Sequence, residues 1–154
     1  MKRSARFTIN VGWTFTLATP DDTAFHACRR IGELAGGPDT WYSREPDQLD
    51  EQFARATALI LRIALPYLQR YPSVESIVSS YERGDLTIKQ AFCPDRGWQL
   101  FHLGFCHAFL GRTADAATSL QSLIQDHSSE SYEWVQQRKA RAEQELIRIK
   151  NKKD

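Results

Sequence analysis

The sequence lacks the short motifs that announce chemistry. It has no CxxC pair, no HExxH, no GxGxxG and no Gly-Lys-Ser loop. Those absences remove the usual zinc, dinucleotide and phosphate-cradling sites from first consideration. Cysteine is scarce: Cys28, Cys93 and Cys106 are the three present, an odd number at long spacings. They argue against a disulfide framework and for reduced, mostly buried thiols in a cytoplasmic protein. Long apolar runs are also missing. The longest, Ala54 to Leu68, is broken by Arg55, Arg62 and Pro66 and is too short to span a bilayer. The basic start, Met1 to Arg6, leads into an alternating segment rather than a signal-peptide core, so no signal peptide is expected. Nor is there an excess of one charge. With 20 Lys and Arg against 19 Asp and Glu, the formal net charge is +1, and no global field draws the chain to nucleic acid or an anionic membrane.

What is present describes an ordinary folded domain. The chain has 154 residues, 42% hydrophobic and 25% charged. A chain of that length buries roughly 70% of its unfolded surface, enough for one core without staples. We expect a single domain over residues 1–154, with an α+β part at 7–84 and a helical part at 96–150.

Phe7, Ile9, Val11, Trp13, Phe15 and Leu17 alternate with polar residues or glycine, which predicts one strand over Phe7–Leu17. A strand needs a partner for its backbone groups. Ala27 to Leu34 is a helix by propensity and a strand by that need. Leu86 to Cys93 is a weaker strand candidate, and an open edge offers a homodimer. Pro46-Asp47 opens a helix whose wide apolar stripe, Leu49 to Leu68, predicts a central, well-covered element that Pro66 ends or kinks. Ser73 caps Val74–Arg83, and Gly84 closes it. Trp98–Leu110, Ala114–Asp126 with Thr113 as cap, and Tyr132 to about Lys150 complete a helical hairpin and bundle. The fold class is α+β, a small antiparallel sheet packed by helices, followed by this C-terminal helical part.

Phe7-Thr8-Ile9-Asn10-Val11-Gly12, then Arg30-Ile31-Gly32-Glu33-Leu34, then Trp41-Tyr42, then Ala64-Leu65-Pro66 occur in an order that resembles a bacterial family catalogued as domain of unknown function 4304. The resemblance spans residues 7 to 84, about half the chain. It implies an α+β fold and brings no activity, cofactor or catalytic residue. Family members carry a helix and further strands ahead of the first motif, where six residues stand here, and they have Trp-Trp where this chain has Trp41-Tyr42. Further on, Leu103-Gly104, Gly111, Ala116 and Leu120 resemble one tetratricopeptide repeat. Its usual Tyr is His107, its closing Pro is absent, and one repeat does not make a solenoid.

Candidate chemistry is thin. His102 and Cys106 share a helix face, with Cys93 and His107 nearby, and zinc takes Cys and His at such spacing. Core packing explains the same residues without a metal. A thiolate at Cys106 would need His102 as its base. Asp21-Asp22 and Asp47/Asp50 fall at turns and helix starts, where capping and the helix dipole account for them. Arg138, Lys139, Arg141, Arg148, Lys150, Lys152 and Lys153 make the last helix basic, diluted by Glu143 and Glu145, and read as a solvated face. Trp41 and Tyr42, with Arg30 nearby, form the best binding candidate, because aromatic and Arg side chains anchor interfaces. We therefore expect no catalytic residue, no cofactor and no bound metal. The expected role is a non-enzymatic cytoplasmic protein that binds another protein, of the toxin-immunity type by analogy. The alternative is a small-molecule binder or hydrolase with a pocket near Trp41, Arg30 or His102.

Overall fold

The computed structural model describes residues 6–13, 27–92 and 95–151. Its elements are β1 (Arg6–Phe7), β2 (Asn10–Trp13), β3 (Ala27–Arg30), α1 (Ile31–Leu34), β4 (Tyr42–Ser43), α2 (Leu49–Leu59), a π-helical turn (Ile60–Ala64), α3 (Leu65–Arg70), α4 (Val74–Glu82), α5 (Leu86–Lys89), α6 (Arg96–Phe109), α7 (Thr113–Asp126) and α8 (Glu133–Asn151). The class is α+β, with helices dominant.

The single strand expected over Phe7–Leu17 is instead two short strands in separate antiparallel ribbons. Phe7 pairs with Tyr42, and Val11 pairs with Arg29. The chain changes partner between them. The Thr8 hydroxyl donates to the Thr40 carbonyl at 2.9 Å, and the Ile31 N–H donates to the Ile9 carbonyl at 3.0 Å. Residues 14–17 of the expected strand, with Asp21 and Asp22, lie outside the described residues. Gly12 is required where it stands: an added Cβ would meet the Ala27 carbonyl oxygen at 2.1 Å.

Both readings of Ala27–Leu34 hold, each for half of it. Ala27–Arg30 is strand β3, and Ile31–Leu34 makes one helical turn. Within the described part of the candidate strand Leu86–Cys93, Leu86–Lys89 instead forms α5, capped by Asp85, while the Ala91 carbonyl accepts from the Cys28 N–H and Phe92 bridges back to Ala27.

Pro66 does not end its helix. The turn ahead of it widens to π geometry, with the Leu65 N–H donating to the Ile60 carbonyl, and α3 runs on to Arg70. Proline has no N–H and crowds the carbonyl four residues back, here Arg62, inside that widened turn. The helix is not central either. Ala56, Ala64 and Tyr67 are buried, while Phe53, Leu61 and Leu65 are exposed. Its wide apolar stripe therefore overstates its burial.

One core cluster joins Val11, Ile31, Tyr67, Val78, Ile88 and Cys106. A second, of Phe101, Ala116, Leu120, Leu123, Ala142 and Ile149, holds α6, α7 and α8 together. Ser73 caps α4 as expected, accepting from the Ser76 N–H at 3.1 Å. Thr113 is not a cap. Arg112 occupies that position without a capping bond, and its guanidinium instead reaches Glu75 and Glu82 on α4. Asp47 does not cap either: Gln48 stands at the N-cap of α2 without a side-chain bond, while Asp50 lies in the first turn, where the dipole favours a carboxylate.

Candidate functional site

The chain entering β4 places Trp41, just before the strand, and Tyr42, its first residue, differently. Trp41 is half exposed, and the Arg30 guanidinium lies 5.1 Å from its ring centre. Asp39 pairs with the same guanidinium. Tyr42 is buried, 1% exposed, and stacks on Phe7 with ring centres 5.1 Å apart. The predicted trio therefore does not form one surface. Arg30 and Trp41 make an outer pair, and Tyr42 belongs to the interior.

Tyr42 nonetheless marks a site. Its hydroxyl is buried and has no hydrogen-bond partner among the described residues. Burial raises its pKa, and the nearby Arg55 guanidinium opposes that rise, so the group is a proton donor at neutral pH. The side chain lines a cleft of about 320 Å³ with Thr40, Arg55, Ala58, Leu59 and Arg62. Thr40 comes from the segment before β4. The other four lie at i, i+3, i+4 and i+7 along α2 and the π turn, which is one helix face. Neither Arg55 nor Arg62 forms an ion pair with a described residue, whereas Arg29, Arg30, Arg70 and Arg112 each hold a carboxylate.

Periodicity does not mark Arg55, Ala58, Leu59 and Arg62 as a site; the available signal is two arginines seven apart inside an otherwise apolar stretch.

The other candidates separate. Cys106 is buried in the first core cluster, and burial pushes its thiol up to about 12, far from thiolate at neutral pH. His102 stacks on Trp98 with ring centres 5.1 Å apart and the planes 11° from parallel. Cys93 lies outside the described residues. Among the described residues no three of His, Cys, Asp and Glu are grouped to hold a metal ion. The basic face of α8 is less solvated than its composition implies: Arg138 is 4% exposed and lies between Trp98 and Trp134. Among the described residues no helix is long and apolar enough to cross a membrane.

Comparison with protein-family models, with curated proteins and with solved structures finds no match.

Proposed function

We propose that the protein is a binding protein rather than an enzyme and that its ligand occupies the Tyr42 cleft. The observation that carries this is the buried Tyr42 hydroxyl without a partner beside that cleft. An unsatisfied buried donor costs about 1–3 kcal/mol, and a ligand acceptor would recover part of that. Binding is favoured over catalysis by the lining, which among the described residues holds no carboxylate, histidine or thiol to act as a general base or nucleophile. The free, buried thiol of Cys106 supports a reducing, cytoplasmic setting. The resemblance of residues 7 to 84 to domain of unknown function 4304 remains part of this proposal and brings no competing activity.

The test is amide chemical-shift mapping of the full chain against a set of small aromatic compounds, charged and neutral. Hits that move Thr40, Tyr42, Ala58 and Leu59 together support the reading. Hits confined to other surfaces, or none at all, count against it.

A second reading rests on Trp41. A half-exposed indole with a guanidinium over its face is a typical anchor for a protein partner, including one of the toxin-neutralised kind. A partner retained by the wild type and lost by Trp41→Ala favours it, and equal retention by both argues against it.

A further inference from the structure

If the Tyr42 cleft is a binding site, its lining also defines the ligand. We infer that it takes a small molecule carrying a carboxylate on an apolar body. This rests on the binding reading above. Arg55 and Arg62 are donors only, and the Tyr42 hydroxyl is a donor in need of an acceptor. Among the described residues no lining side chain carries a negative charge. The cleft is therefore rich in donors and lacks a strong acceptor, the complement of an anion.

Arg55 and Arg62 stand seven residues apart, roughly 10 Å along the helix axis, and flank the lining residues between them. Those residues are Ala58 and Leu59, an apolar floor. A guanidinium receives a carboxylate through two parallel hydrogen bonds. The floor receives the rest of the ligand by burial. A small, heavily hydrated anion such as free phosphate would leave Ala58 and Leu59 uncovered. The volume, about 320 Å³, is at the small end for ligand sites and suits one ring with a short acid. Both arginines are exposed and hold no carboxylate among the described residues, so a ligand can engage them without first breaking an ion pair.

The experiment titrates phenylacetate, its neutral analogue phenylacetamide and inorganic phosphate separately into the full chain. Binding is followed at the Thr40, Ala58 and Leu59 amides. Phenylacetate is expected to saturate these shifts. Phenylacetamide should bind roughly ten- to hundredfold more weakly, the factor a charged hydrogen bond carries. The double variant Arg55→Gln/Arg62→Gln should lose a similar factor for phenylacetate. Both arginines are exposed, so the fold should survive the change. Equal binding of acid and amide at the cleft would overturn the carboxylate inference and leave the binding site standing. Tighter binding of phosphate than of phenylacetate would overturn it too. No shift at these amides with any of the three probes would remove this inference, and the wider aromatic set decides separately whether the cleft binds at all.

Discussion

The Arg138 guanidinium lies 4.0 Å from the centre of the Trp98 ring, so a buried cation on α8 is pressed against the first turn of α6. Trp134 covers its other side at 4.6 Å, and Asp95, the cap of α6, stands 3.5 Å away. Arg138→Ala is expected to cost about 1–3 kcal/mol, chiefly through the lost stacking on Trp98 and Trp134, because Asp95 stays 39% exposed to water. Arg138→Lys keeps the charge but loses the flat stacked shape, and should still cost at least ~1 kcal/mol. Urea unfolding of the three proteins checks both values. A lysine variant as stable as wild type would contradict the stacking account.

Asp85 joins two elements. Tyr71 donates to its Oδ2 at 2.7 Å, and the Thr87 N–H donates to Oδ1 at 2.9 Å. The Tyr71 bond, with the Thr87 N–H and Arg70 behind it, holds the Asp85 carboxyl below its ordinary 3.8. A depressed carboxylate pKa contributes stability that is present above the unfolded value and lost as pH falls through the folded one. Asp85→Asn keeps a capping oxygen but loses the charge that strengthens the Tyr71 and Thr87 bonds and pairs with Arg70, and should cost about 1 kcal/mol at pH 7. The gap between the two proteins should close below pH 3.8, measured by thermal unfolding across pH.

His107 works in a higher window. It is 6% exposed, and burial lowers its pKa from 6.5. Glu82, 3.7 Å away, and Asp115 oppose that shift, while Arg112 adds to it. The unfolded chain therefore takes up this proton first. Stability should fall as pH drops below 6.5, by at most about 1.4 kcal/mol per pH unit from this group. His107→Gln should flatten the urea midpoint between pH 7 and 5 relative to wild type. An unchanged slope would show that the imidazole titrates freely in the fold.

Gly104 lets α6 and α7 approach. A Cβ there would lie 2.5 Å from Leu120 Cδ2 and 2.7 Å from Cγ. Alanine favours helix over glycine by about 1 kcal/mol, but the overpacking should win. Gly104→Ala is expected to lower stability by about 1–2 kcal/mol, and a Leu120→Ala partner change should restore part of it. Calorimetry of the two single variants and the double gives the coupling.

The helices were legible because their signals are local: the Ser73 cap, the apolar repeat of α6, the glycines that end α4 and α6. The strands were only half legible. Alternation from Phe7 onward marks extended chain, but the change of partner at Thr8–Ile9 depends on Thr40 and Ile31, far along the sequence. The burial of α2 is not legible in the sequence, because a wide apolar stripe looks the same whether or not something covers it. Of the cleft, the sequence singles out Tyr42, while Arg30 and Trp41 make a separate outer pair. The cleft needs residues 40–42 and 55–62 brought side by side, and no periodicity within one segment reports that contact.

The most direct test of the central claim is one variant measured twice, Tyr42→Phe, for stability without ligand and for affinity toward phenylacetate. Removing a buried hydroxyl that has no partner should stabilise the free protein by up to about 1 kcal/mol, a rise of roughly 2–4 °C in Tm. The same change should weaken phenylacetate binding at the cleft several-fold. A variant that is less stable than wild type, or one that binds phenylacetate equally well, would contradict the account of Tyr42 as a donor held for a ligand.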